Sequence, residues 1–185
     1  MKRLSQTHTH RGPAAVRGFT LIELLASMTV LAILTSLAAA SMSATVNNNR
    51  IYATQTEFLA SLALARSEAA RRGVTVLVTA TSAVTGNAFG GGWRVCLDAD
   101  GDGACDATDT AVLRNHESVS STILVGASPT TIGFSPIGFL TQAGSADIKV
   151  CAKDGSVAGY DISIQPNGMA DVADVAANTS PCTAP

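Results

Sequence analysis

Arg17-Gly18-Phe19-Thr20-Leu21-Ile22-Glu23-Leu24-Leu25 sets one carboxylate inside an apolar run, directly behind a basic segment that ends in glycine. No charged residue occurs from Leu24 to Met42, so about 24 residues counted from Phe19 have the length for a bilayer core, which takes roughly 20 as a helix. Glu23 is the exception within that run. A carboxylate held in hydrocarbon costs on the order of 2.5–3.5 kcal/mol on insertion scales, so an acid kept there calls for a partner and a function. Cleavage after Gly18 supplies the partner: the new α-amino group of Phe19 lies one helical turn from Glu23, or comes from a neighbouring subunit.

Lys2, Arg3, Arg11 and Arg17 precede the apolar run and no acid does. That bias keeps the leader cytoplasmic and sends the body outward. The competing reading is an ordinary secretory signal, cut after its apolar region near Ala38, Ala40 or Ala44 to release a secreted β protein. A disposable segment has no use for a buried acid, whereas a permanent helix that docks onto its neighbours has one.

The segment RGFTLIELL resembles the cleavage and methylation motif of type IV prepilins and type II secretion pseudopilins, with glycine before the cut, phenylalanine after it and glutamate fifth in the mature chain. The resemblance implies that a prepilin peptidase cuts after Gly18 and methylates Phe19, and that Glu23 guides subunit registration in a filament. Expected partners are therefore other major and minor pilins or pseudopilins, the peptidase, an inner-membrane assembly platform and membrane lipid. The expected organisation is a leader over 1–18, a transmembrane and assembly helix over 19–45, an amphipathic helix over 46–73 and a periplasmic β domain over 74–185.

Without the leader, 8 Lys and Arg oppose 14 Asp and Glu, a formal charge of −6. Beyond Gly73 only Arg94, Arg114, Lys149 and Lys153 face Glu117 and ten aspartates. Nucleic-acid surfaces carry the opposite footprint. Residues 50–72 are rich in Ala, Leu, Glu and Arg and lack Gly and Pro, which predicts helix. Ile51, Phe58, Leu62, Ala65 and Ala69 recur at helical spacing as an apolar face, Gly73 ends the helix, and Asn47-Asn48-Asn49 is its softest point. From Phe19 to Arg72 such a helix would measure on the order of 80 Å.

After Gly73 the period changes to short runs rich in Val, Ile and Thr, over 74–80, 92–97, 111–115, 122–125, 131–134, 147–152 and 160–165, divided by Gly, Pro, Asn and Asp. These predict antiparallel strands, with Thr81 to Gly92 as a flexible loop. The fold class is α+β: a long N-terminal helix, half transmembrane and half amphipathic, packed on an antiparallel sheet.

LALARSEAARRG, GGWRVCLDADGDG, FSPIGF and the closing Pro166-Asn167-Gly168 resemble the GspH/FimT group of minor pseudopilins and minor pilins, whose members are thought to sit near the filament tip. Several FimT-like proteins implicated in DNA uptake carry a GRxR-like motif after the last strand. This chain reads Gly168-Met169-Ala170-Asp171 there and lacks both arginines, which argues against direct DNA binding, since Lys and Arg supply most non-specific affinity. A tip module that binds DNA or a secreted substrate stays open as the alternative to a purely structural subunit, and the sequence does not choose between secretion and pilus systems.

Asp98, Asp100, Asp102, Gly103 and Asp109 stand at the first, third, fifth, sixth and twelfth places of a calcium-loop pattern, with the Ala104 carbonyl seventh and Asp106 ninth. A structural Ca²⁺ would relieve their mutual repulsion; a solvated turn uses the same residue types. Four cysteines in an exported domain point to disulfides, since the periplasm is oxidising, and proximity favours Cys96 with Cys105 and Cys151 with Cys182, each worth roughly 2–4 kcal/mol. No close cysteine pair suggests zinc. No enzyme is expected: His116 has no motif around it and reads as a surface residue, Ser135 lies in no nucleophile elbow, and Trp93 reads as a core anchor beside the helix.

Overall fold

The computed structural model describes residues 18–106 and 111–177, with the side chains of 37–41 outside that description. The described elements are α1 (Leu21–Arg72), β1 (Val76–Ala80), β2 (Trp93–Leu97), β3 (Val112–His116), β4 (Ile123–Ser128), β5 (Thr131–Phe134), β6 (Ala146–Ala152), β7 (Gly159–Ile164) and β8 (Ala170–Val175). The chain divides into two compact units, Met1–Ala40 and Ser41–Pro185.

In the first unit α1 begins at Leu21, two residues later than Phe19, because Thr20 is spent as the helix cap. Apolar side chains from Leu21 to Leu34 are exposed on every side of the helix. Among the described residues no helix is long and apolar enough to cross a membrane; the span expected from the sequence runs through 37–41, whose side chains lie outside the described set.

In the second unit α1 continues to Arg72 and keeps Asn47-Asn48-Asn49 within it. It stops at Gly73, whose φ of 70° suits a left-handed cap and whose N–H donates to the Ala69 carbonyl at 2.9 Å. Near that end Glu68 accepts hydrogen bonds from Arg71 and Arg72, both at 2.6 Å, and these hold its carboxyl below the ordinary value of 4.5. The two arginines also face the negative end of the helix dipole.

The strands are antiparallel as expected and form two sheets, in the orders β3-β2-β1-β5 and β4-β6-β7-β8. β6 alternates cleanly, with Ala146, Ile148, Val150 and Ala152 turned inward. Ile51, Phe58, Leu62, Ala65 and Ala69 of α1 join residues of both sheets in one core. Phe58 sits at its centre, edge-on to Phe89 at 5.0 Å and to Trp93 at 5.1 Å. Trp93 is fully buried, and its indole N–H donates to the Ser61 hydroxyl at 2.9 Å, which donates in turn to the Glu57 carbonyl at 2.9 Å.

Two further expectations change. The segment from Thr81 to Gly92 is pinned rather than loose: Phe89 is fully buried, its N–H donates to the Val125 carbonyl at 3.0 Å, and the Asn87 side chain accepts from the Val125 N–H at 2.7 Å. β7 is not the last strand, because β8 follows it and pairs along its length.

Truncating Phe58 removes both edge-on aromatic contacts at the core centre. Phe58→Ala is expected to cost about 3–5 kcal/mol, read as a lower denaturation midpoint with unchanged slope; a loss below about 1 kcal/mol would place the core's centre elsewhere.

Candidate functional site

Three regions carry the residues singled out from the sequence. At the N-terminal motif, the Glu23 N–H donates to the Thr20 hydroxyl at 3.3 Å and the Leu24 N–H to the Thr20 carbonyl at 3.2 Å. Thr20 is thus the N-cap and Glu23 stands three residues into the helix, the arrangement of a capping box. The T-x-x-E spacing at 20–23 carries that signal in the sequence, and the reading by charge and cleavage passes over it. A carboxylate in the first turn also meets the positive end of the helix dipole. Further along, the hydroxyls of Thr29, Thr35 and Ser36 donate to carbonyls one turn back at 2.8–3.0 Å, so these polar side chains are satisfied within the helix and leave an apolar exterior. Gly18 and Phe19 precede the cap in irregular backbone, and Phe19 is 80% exposed. Residues 1–17, with the leader's basic side chains, lie outside the described residues.

The aspartate loop follows β2. Asp98 is buried, its N–H donates to the Thr75 carbonyl at 3.0 Å, and its carboxylate accepts from the Gly101 N–H at 2.9 Å. Asp100 and Asp102 accept from the N–H groups of Asp102 and Ala104 at 3.3 and 2.7 Å. One carboxylate oxygen from each of Asp98, Asp100 and Asp102 lies within 4.8 Å of the others. Three hard oxygen donors suit Ca²⁺, while the turn hydrogen bonds alone also give the loop its shape. Asp106 is exposed and apart from this trio, and Asp109 lies outside the described residues. A Cys96–Cys105 disulfide closes the loop. Cys151 is also disulfide-bonded, and Cys182 lies outside the described residues.

The third region is the β7–β8 turn. The Gln165 N–H donates to the Met169 carbonyl and the Gly168 N–H to the Gln165 carbonyl, both at 2.8 Å. A Cβ on Gly168 would lie 2.1 Å from the Gly138 carbonyl oxygen, so only glycine admits this approach. Arg66 reaches across from α1 to donate to the Asn167 carbonyl at 2.9 Å. Gly168-Met169-Ala170-Asp171 therefore forms the turn and the start of β8 rather than a tail after the final strand.

His116 departs from the surface reading. Its ring stacks on Trp93 at 3.7 Å with 4° between planes, and its Nε2 lies 2.5 Å from Glu57 of α1. Pairing of Trp93 with His116 across β2 and β3 builds this contact, which no local sequence motif announces. The pair ties α1 to β3. A double-mutant cycle of His116→Ala and Glu57→Gln is expected to return a coupling on the order of 0.5–1 kcal/mol in denaturant melts, and a value indistinguishable from zero would remove that tie.

Residues 54–168 match the family described as type II transport protein GspH, and residues 14–39 match the prokaryotic N-terminal methylation motif. Two crystal structures of the type IV minor pilin FimU of Pseudomonas aeruginosa PAO1 resemble the chain. In space group P21 the match has 20% identity and a TM-score of 0.55, covering 74% of this chain and 96% of that one. In space group P65 it has 21% identity and a TM-score of 0.51, covering 69% and 94%. At these identities the likeness speaks to the fold. No curated protein matches.

Proposed function

Because the chain belongs to the family of the type II transport protein GspH, we propose that this pilin-type subunit is made as a precursor, cut after Gly18 by a prepilin peptidase, methylated on Phe19 and built into a type II pseudopilus or type IV pilus. The carrying observation is the N-terminal methylation motif over 14–39 lying on the start of α1, where Glu23 occupies the first turn of a helix with an apolar exterior. On this reading the apolar segment holds the subunit in the inner membrane with its β domain in the periplasm. It then exchanges lipid for neighbouring helices on the assembly platform. Glu23 sets register by neutralising an amino terminus, which removes the cost of a carboxylate in hydrocarbon. Its partners are other major and minor subunits, and its proposed place is at or near the tip. The role is structural rather than enzymatic.

Direct DNA binding draws no support from the β7–β8 turn, which has no arginine and leads into Asp171 and Asp174. In the aspartate loop, Asp98, Asp100 and Asp102 are proposed to hold a structural Ca²⁺, since their oxygens converge and like charges at that separation repel.

Intact mass of the native protein is expected to start at Phe19 with one added methyl; a start near Ser41 or Thr45 would overturn the filament reading in favour of secretion. Glu23→Ala is expected to be processed normally yet to enter filaments poorly, and undiminished incorporation would remove its registration role. For the loop, calcium is expected to raise the melting temperature of the protein over a chelated sample, and Asp100→Asn with Asp102→Asn to abolish the rise. Superimposable melts with and without chelator would leave a turn without an ion.

A further inference from the structure

β8 is an edge strand, and among the described residues only β7 pairs with it. The bond from Gln165 to Met169 makes those two a hydrogen-bonded pair, and bonded pairs recur at every second position of an antiparallel ladder. Ser163 with Asp171 and Asp161 with Ala173 are therefore bonded, whereas Ala170, Val172 and Asp174 turn their N–H and C=O groups away from β7. The Val172 N–H agrees with that phase, because it donates at 3.1 Å to the carboxylate of its own neighbour Asp171.

Ala170 to Asp174 are all exposed. On the face shared with buried Ile164 and Ile162, Ala170 borders a groove of about 590 Å³ whose helix side is lined by Leu59, Leu62, Ala63, Arg66, Ser67 and Ala70. Among the described residues no strand continues the sheet beyond β8 toward the helix flank. Asp171 and Asp174 make no ion pair among the described residues. Two β8 edges side by side would gather four carboxylates and no cation along one seam, and that repulsion opposes the pairing. A second copy is therefore the wrong occupant.

We propose that β8 is completed by an extended segment of another protein, with apolar side chains entering the groove beside Ala170 and Lys or Arg meeting Asp171 on the opposite face. Main-chain bonds to Ala170, Val172 and Asp174 supply affinity, and alternate side chains supply selection, as in strand addition generally. Charged edges commonly guard against self-association; here the Asp171 carboxylate also selects a basic strand. The proposal is independent of the filament reading.

The test uses the full chain in nonionic detergent micelles and a blocked, fluorescent peptide of about seven residues, a usual strand length, alternating lysine and valine. Saturable anisotropy is expected. Replacing lysine by glutamate in the peptide, or Asp171→Lys in the protein, is expected to weaken binding at least about tenfold. N-methylating alternate amides along one peptide edge should abolish binding, and along the other should preserve it. Val172→Pro removes an outward donor without touching the β7 ladder and should weaken binding likewise at an unchanged melting temperature; if it unfolds, the methylated peptides still decide. Equal binding of both methylated peptides and the parent would reduce the contact to charge attraction and overturn strand addition, as would no saturation up to about 1 mM.

Discussion

One stripe of α1 must satisfy two sheets at once, and the second unit of the chain depends on that. Neither sheet covers its own inner face, and a helix with a single apolar stripe is the available lid. Phe58 meets this demand by presenting its ring edge-on to Phe89, from the β1–β2 connection, and to Trp93 of β2. Such aromatic contacts contribute about 0.5–1.5 kcal/mol each beyond area burial. The Trp93 indole then needs an acceptor in the dry interior, and Ser61, one turn beyond Phe58, provides it. Helix phase and strand register are fixed together by that one bond.

At the other end of the helix, Glu23 answers to two environments. In water it belongs where it is, three residues after a threonine cap and at the positive end of the helix dipole. In hydrocarbon the same carboxylate is costly until a cation meets it. The same residue thus helps the helix start in water and, alone in lipid, carries a penalty that a neighbouring cation would relieve.

Much of this was legible from residues alone. The spacing of Ile51, Phe58, Leu62, Ala65 and Ala69 identified the buried stripe because helical periodicity is a local property, and Gly73 marked its end for the same reason. Seven strands announced themselves through β-branched runs. β8 did not: Ala-Asp-Val-Ala-Asp-Val has a composition depleted in strands, and it pairs only because β7 offers an edge after a tight turn. Phe89 was hidden inside a glycine-rich stretch that composition marks as loose, yet its burial is decided by Val125, far away in sequence. His116 was misread for a similar reason, since its stack on Trp93 exists only once β2 and β3 are in register. The Thr20 cap was visible in the T-x-x-E spacing at 20–23, where the Glu23 N–H donates to the Thr20 hydroxyl.

Gly73 has a mechanical consequence. Only Gly73, Val74 and Thr75 join α1 to β1, and β1 lies between β2 and β5 rather than at a rim. The Asp98 N–H grips the Thr75 carbonyl at the point of entry. Tension applied through the helix therefore reaches a strand clamped on both flanks, where the two ladders must yield together in shear instead of unzipping bond by bond from a margin. A subunit hauled by its helix would thus be pulled from an inner strand of that sheet rather than from its rim.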